Sequence, residues 1–427
     1  MGVFTRATAS RSRTRTATLS GLAFLGASAL VLTGCSSPGG GEGGNNERPA
    51  GEDLTLKVGT LLPQTGQLAF LGPPEEAGVG LAVKEINDAE LGITVDVTYG
   101  DSGDPDNKAF ATTVPNLLGE DVSAIIGAAS SGVTKLVIDE VTGAGVIQFS
   151  PANTSADFTT WDDNGLFWRT APSDVLQGEV LGNLIAEDGN ETLGILYLND
   201  SYGTGLAGFV KENFEAAGGE VVEEVSYNAG DTTFDAQVSS LKAANPDAIA
   251  LIAFEETKTI VPALSGYPAE KMYFVDGNLS DYSADFAPGT LTGAKGTLPG
   301  LDTEELGDFT DRLQEFWQAE GNEELKDYSY AAESYDAVVL LALAALQAGS
   351  TEGADIAAEL QSVSGGGEDT GEKCTTFADC AALINDGEAV DYDGYSGPIT
   401  FDENGDPTEA TIGIHQYNAE NKYERIN

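Results

Sequence analysis

The stretch over residues 122–155 restricts the possible folds more than any other part of the chain. Val122-Ser123-Ala124-Ile125-Ile126-Gly127 reads as a strand buried on both faces, and the small polar run that follows, from 128 to 134, cannot continue it. An amphipathic helix comes next, with Leu136, Val137, Ile138 and Val141 facing a sheet, and then a second buried strand over 145–149. That strand ends in Ser150-Pro151-Ala152-Asn153-Thr154-Ser155. Two strands joined through one helix run parallel, so both end in hydroxyl-rich loops on the same edge of a sheet. In open α/β sheets the crevice beyond the strand carboxyl ends is where ligands sit. Hydroxyls and free helix N–H groups there suit a carboxylate. The stretch therefore reads as half of a small-molecule binding cleft.

The same alternation runs through most of the chain. Strands are expected over 54–62 and 93–99, with helices over 74–87 and 106–118. A second series begins after Arg169-Thr170-Ala171-Pro172-Ser173, with helices over 175–187, 205–217, 234–243 and 257–264. Its strands fall over 193–198, 220–227, 248–253 and 272–275. Such alternation predicts an α/β fold with mostly parallel sheets built from βαβ units. Two long helices follow, over 303–320 and 328–347; the apolar run 337–346 in the second is too short to span a bilayer and reads as a core helix. Short strands over 397–401 and 411–417 close the chain. Two lobes are expected, one from 54–170 plus 277–399 and one from 171–276 plus 400–427. Three hinge crossings would join them, near 168–172, 275–278 and 397–405, which suits closure on a ligand.

Charge removes several classes of partner. The formal net charge is -49, and residues 1–34 contain Arg6, Arg11, Arg13 and Arg15 with no acid. An acidic surface with no basic patch repels nucleic acid, so no nucleic-acid partner is expected. His415 is the only histidine, which argues against a metal site and against an acid–base–nucleophile set, and hence against an enzyme such as an amidohydrolase; no cofactor is expected. The Asp402-Glu403-Asn404-Gly405-Asp406 run lacks the terminal glutamate spacing of a calcium loop and reads as a β-turn.

The amino terminus has the pattern of an export signal over 1–34, with a basic segment ahead of an apolar run from Leu19 to Leu32. Leu32-Thr33-Gly34-Cys35 resembles the lipobox of bacterial lipoproteins. That resemblance implies cleavage before Cys35, lipidation of its sulfur, and a place on the extracytoplasmic face of the bacterial cell membrane. The Gly- and Asn-rich segment over 35–53 reads as a flexible tether to the anchor. Cys374 and Cys380 are an even pair in an exported chain, and a disulfide between them is expected to staple a surface excursion.

Several blocks together carry a family resemblance. Lys57-Val58-Gly59-Thr60-Leu61-Leu62-Pro63-Gln64-Thr65-Gly66 resembles the opening strand of the type I periplasmic-binding fold. Ser131-Gly132-Val133-Thr134, Ser150-Pro151-Ala152-Asn153-Thr154, Phe167-Trp168-Arg169-Thr170-Ala171-Pro172, Asn199-Asp200-Ser201-Tyr202-Gly203 and Asp391-Tyr392-Asp393-Gly394-Tyr395-Ser396-Gly397-Pro398 follow in the order of its leucine/isoleucine/valine-binding group. The resemblance implies a monomeric, non-catalytic receptor that delivers a neutral amino acid, a branched-chain one first, to an ABC transporter permease. Relatives of this fold bind amides, urea and aromatic acids as well, and some serve as sensory receptors. By the same resemblance Ser131 and Thr154 would hold the ligand carboxylate, and the carbonyl of Ala152 would accept from its ammonium. Glu256, or Glu255 beside it, would neutralise that ammonium; Tyr202 would close over the ligand, and Leu71 would touch its side chain. Asp276, in an Asp-Gly turn at a hinge, is a further candidate to face the ligand. Two departures stand out: Ser130 occupies a position where relatives carry a disulfide cysteine, and Leu71 one where a large aromatic is common.

Overall fold

The computed structural model describes residues 53–302, 306–367 and 370–427. The expected export signal over 1–34, Cys35, and the tether over 35–53 except Asp53 lie outside these described residues.

The first lobe opens with β1 (Leu54–Leu61), α1 (Gly72–Ala89), β2 (Ile93–Thr98) and α2 (Phe110–Gly119). It continues through β3 (Ala124–Gly127), α3 (Ser131–Gly143), β4 (Ile147–Ser150) and β5 (Phe167–Arg169). Its sheet has the order β2-β1-β3-β4-β5, and every neighbour pair is parallel. β3 and β4 are buried along their whole length, as strands covered by helices on both faces must be. The order reverses between β1 and β3, and that switch point is where a crevice opens in a doubly wound sheet. Gly127 ends β3 at φ +121°, and a Cβ there would lie 2.2 Å from the Leu61 carbonyl oxygen, so only glycine lets the two strands meet so closely at the switch.

The chain then crosses to the second lobe. There α4 (Asp174–Glu187), β6 (Thr192–Leu198), α5 (Ser201–Ala216), β7 (Glu220–Tyr227), α6 (Asp235–Ala244), β8 (Ala248–Ile252), α7 (Thr257–Ala263), β9 (Met272–Phe274) and β10 (Lys295–Pro299) follow. β7-β6-β8-β9-β10 are parallel and repeat the first lobe's order, with the switch now between β6 and β8. The expected return near 275–278 is displaced, because β10 pairs with β9 and with a C-terminal strand of the second sheet. Residues 277–299 therefore belong to the second lobe, and the chain returns to the first only between Pro299 and Phe309.

The returning segment supplies α8 (Phe309–Ala319), α9 (Ala331–Ala348), α10 (Gly353–Val363), β11 (Glu372–Cys374), α11 (Phe377–Asp386), β12 (Val390–Gly394) and β13 (Gly397–Pro398). α9 is buried without a break from Ala331 to Leu346, the condition of a helix apolar on every side, and it packs against α1, α10 and α11 as the spine of the first lobe. Cys374 and Cys380 form the expected disulfide, but they are 5% and 0% exposed and sit in the first-lobe core, so the bridge is no surface staple. The third crossing also falls later than expected. Phe401 still packs edge-on against Phe149 and Trp168, with centroids 6.0 and 5.2 Å apart, so the first lobe extends past residue 400. The 402–406 turn closes on itself through Asp402, which accepts from the Asn404 and Asp406 N–H groups, and a bridge joins Phe401 to Pro407. β14 (Ile412–Tyr417) and β15 (Tyr423–Arg425) then complete the second sheet in antiparallel fashion.

Candidate functional site

Loops at the carboxyl ends of both switch points face each other across one cavity. Its first-lobe wall comes from Leu68 and Leu71 after β1, Ala129, Ser130 and Ser131 after β3, and Ala152 and Thr154 after β4. The second lobe supplies Tyr202 after β6, Phe254 after β8, and Asp276 and Gly277 after β9. Tyr330, just ahead of α9, completes it. All twelve residues are buried, and the lobes are shut over them. Among the hydrogen bonds that cross between the lobes are Ser155 Oγ to the Ser201 carbonyl (3.0 Å), Asp174 N–H to the Thr154 carbonyl (2.6 Å), Glu255 N–H to the Gln67 carbonyl (3.3 Å), Tyr330 O–H to Asp276 (2.8 Å) and Tyr423 O–H to Asp327 (3.3 Å).

Local chemistry explains why Ser131 and Thr154 are available to the cavity. A serine or threonine at a helix start is usually occupied in capping. Here Ser130 caps α3 by accepting from the Val133 N–H, and Ser155 caps the following 3₁₀ turn by accepting from Asp157 N–H. Ser131 and Thr154, each next to a cap, line the cavity instead. The open N–H groups of the first turn of α3 lie at the same end, so this pole of the cavity favours an anionic group.

The opposite pole is acidic. Asp276 is 5% exposed and accepts from Tyr202 O–H (2.6 Å), Tyr330 O–H (2.8 Å) and Gln177 Nε2 (3.0 Å). Burial pushes its pKa up, and the three donors partly offset this by favouring the charged form. Burial, with Asp276 adding to it, holds both tyrosine hydroxyls protonated far above their ordinary range, so they stay donors. Asp174, at the start of α4, is fully buried between the two poles: its pKa is raised first by burial and then by Asp276, and a hydrogen bond with the Thr154 hydroxyl partly offsets this. Between the poles the wall is apolar: Leu68, Leu71 and Ala129 face Phe254, which stacks on Tyr202 with centroids 5.5 Å apart.

Of the residues singled out from sequence, Ser131, Ala152, Thr154, Tyr202, Leu71 and Asp276 are brought together. Glu255 and Glu256 are not. Glu255 pairs with Lys258 (2.7 Å) and is partly exposed, while Glu256 turns back so that its carboxylate accepts from the Phe254 N–H (3.1 Å). Both sit where a helix begins, and the local N–H groups and Lys258 claim their charges before the cavity does. Phe254, Leu68 and Tyr330 were not foreseen. Phe254 could have been found, since it follows β8 at the carboxyl end of the sheet. Tyr330 gives no such sign: it adopts φ +61° in an irregular segment ahead of α9.

Comparison with known proteins places this geometry. Residues 55–421 match the family described as periplasmic binding protein. A leucine-, isoleucine-, valine-, threonine- and alanine-binding protein of Pseudomonas aeruginosa is 32% identical over 194 residues, covering 44% of this chain and 51% of that protein; this match thus spans about half of its length. A chemotactic signal transduction system substrate-binding protein of Halobacterium salinarum is 26% identical over 82% of this chain and 84% of its own. Among solved structures, the branched-chain amino acid transporter substrate binding protein of Streptococcus pneumoniae in complex with isoleucine is similar at a TM-score of 0.67 and 25% identity, over 87% of this chain and 99% of that one. The family is one of binding proteins rather than enzymes, and this chain belongs to it: it is a two-lobed periplasmic binding protein of the type I fold.

Proposed function

We propose that this protein is an extracytoplasmic receptor for a free, neutral α-amino acid with an apolar side chain, a branched-chain one first. One observation carries the reading: a buried carboxylate from one lobe faces two hydroxyls from the other across an apolar-walled cavity. Ser131 and Thr154, with the α3 N-terminus, receive the ligand carboxylate. Asp276 receives the ammonium, because a buried ammonium is stable only against an opposite charge. The Ala152 carbonyl is a second acceptor for it. Leu68, Leu71 and Phe254 take the side chain, and Tyr330 and Tyr202 close over the whole. The relatives' own ligands support the choice of an aliphatic amino acid. Cleavage before Cys35, lipidation of its sulfur and the tether would hold the monomeric receptor at the membrane, where it passes ligand to an ABC transporter permease.

Calorimetric titration of the ligand-free protein with leucine, isoleucine and valine tests this, with a micromolar or tighter Kd expected, roughly −8 kcal/mol or better. Tight binding of a sugar with no response to any amino acid overturns it. The resemblance to a chemotactic substrate-binding protein supports a second use of the same site, in which the loaded receptor reports to a transducer. Deletion of the gene separates the two, abolishing uptake of the amino acid in the first case and attraction to it in the second.

A further inference from the structure

Behind the first lobe's share of the cavity lies an ion pair that contributes no atom to the cavity wall. Arg169, on β5, is fully buried, and all five of its N–H donors are used. Nε and Nη2 form a bidentate pair with Asp406 at 2.6 and 2.7 Å, and Nη2 also donates to the Thr159 hydroxyl at 3.1 Å. Thr159 in turn donates to Asp406 at 2.6 Å. The remaining nitrogen, Nη1, donates to the backbone carbonyls of Asn153 (3.3 Å) and Ser155 (2.7 Å). Those carbonyls flank Thr154. Drawing both toward one guanidinium fixes the 153–154 and 155–156 peptide planes, which bracket residues 154 and 155. The peptide between them is held by the Thr154 carbonyl accepting from the Asp174 N–H (2.6 Å), while the Thr154 side chain lines the cavity. Asp406 lies in the turn ahead of the third crossing, so the same pair fastens the ligand loop to that turn.

We infer that Arg169, held in place by Asp406, is a positioning residue for ligand binding: it aims Thr154 at the ligand carboxylate without touching the ligand. The inference rests on the amino-acid reading above. A buried ion pair is a weak source of net stability, which leaves geometry as the role that suits this one. Lysine could not replace it, since a single ammonium cannot reproduce the planar fork that reaches Asp406 and two carbonyls together.

The test is a double-mutant cycle read in Kd, using whichever of leucine, isoleucine and valine binds tightest. Thr154→Ala and Arg169→Lys are each expected to weaken binding about tenfold or more. The double variant should bind no worse than the weaker single variant, within about threefold, because with the hydroxyl gone nothing remains to be aimed. Arg169→Lys combined with Tyr330→Phe should instead multiply the two losses. Asp406→Asn, which keeps the size of the side chain and one acceptor, stands in for Arg169→Lys in the cycle if the latter does not fold. Multiplied losses for Arg169→Lys with Thr154→Ala, in a wild type that binds the amino acid, overturn this inference alone. A wild type indifferent to all three amino acids overturns the amino-acid reading and this inference with it.

Discussion

Asp276 concentrates the electrostatics of the site in one side chain. It is a buried carboxylate with a raised pKa, stabilised by two tyrosine hydroxyls and one amide. Asp276→Asn removes the charge and keeps the shape, and it is expected to weaken amino-acid binding by about 2–5 kcal/mol, since a ligand ammonium would then be buried unpaired. The far-ultraviolet spectrum should not change. The sign of the pH effect follows: the ammonium needs the ionised carboxylate, so affinity falls on acidification, beginning above the ordinary aspartate range because the pKa is raised. Binding in that window releases protons, which titration in buffers of different ionisation enthalpy detects; in Asp276→Asn the release at this group disappears. At this scale the sequence was legible where a motif fixed the residue. Ser131, Thr154 and Tyr202 sit in short blocks whose order is diagnostic, whereas the choice among Glu255, Glu256 and Asp276 depends on which way each carboxylate turns. Glu256 follows Phe254 in the loop after β8 and still folds back onto the backbone, a preference decided by N–H groups that no pattern of side chains reveals.

Elements show a second pattern of success and failure. Strands and helices of the two βαβ series were readable because periodicity and burial agree in a doubly wound sheet. α10 was not singled out, and α11 was hidden within an acidic, Gly-rich stretch around 365–395, although it has a proper cap in Thr376, which accepts from the Asp379 N–H. Leu136 was expected against the sheet but is 57% exposed, because α3 buries Val133, Val137, Ile138 and Val141 and leaves 136 between faces. α9 was read correctly as a core helix, and it carries an internal acid with a measurable consequence. Glu333 is 5% exposed in its first turn, and burial, then Asp336, push its pKa up to about 8. Glu75, fully buried on the neighbouring α1, has its own pKa raised by burial, then by Glu76 and by Glu333. A carboxyl whose folded pKa exceeds its unfolded value stabilises the fold fully below the unfolded pKa, and that contribution is lost as pH rises through the folded one. Stability should therefore fall between about pH 4.5 and about 8 on account of Glu333. Glu333→Gln is expected to flatten that decline and to raise the melting temperature at pH 8 while changing it little at pH 5. An equal shift at both pH values would show that the carboxyl does not titrate across this window.

For the whole molecule the governing fact is that both lobes carry the same sign of charge. With the crossings placed as observed, residues 54–169 and 300–407 hold 42 acidic and 8 basic side chains, while 170–299 and 408–427 hold 23 and 7. Ion pairs relieve little of this, since most involve partly exposed side chains of small net worth. Closure brings the two acidic bodies together, and the contact is acidic locally as well: Asp104 of the first lobe raises the pKa of Glu256 in the second, after burial. A zwitterionic ligand has no net charge, so salt does not act on its approach. Its ammonium would meet Asp276 inside a shut cavity, where screening is slight. Lobe–lobe repulsion, by contrast, acts across solvent-exposed surfaces, and the Debye length falls from about 30 Å at 0.01 M to about 8 Å at 0.15 M. Salt should therefore tighten amino-acid binding, the opposite of what an exposed ligand ion pair would give. Between about 0.01 and 0.5 M the expected change in Kd is a few-fold, appearing as a slower dissociation rate because the closed state is what salt favours. Stopped-flow displacement across that range measures it, and a dissociation rate that rises with salt would mean that the ligand's charges, rather than those of the lobes, control closure.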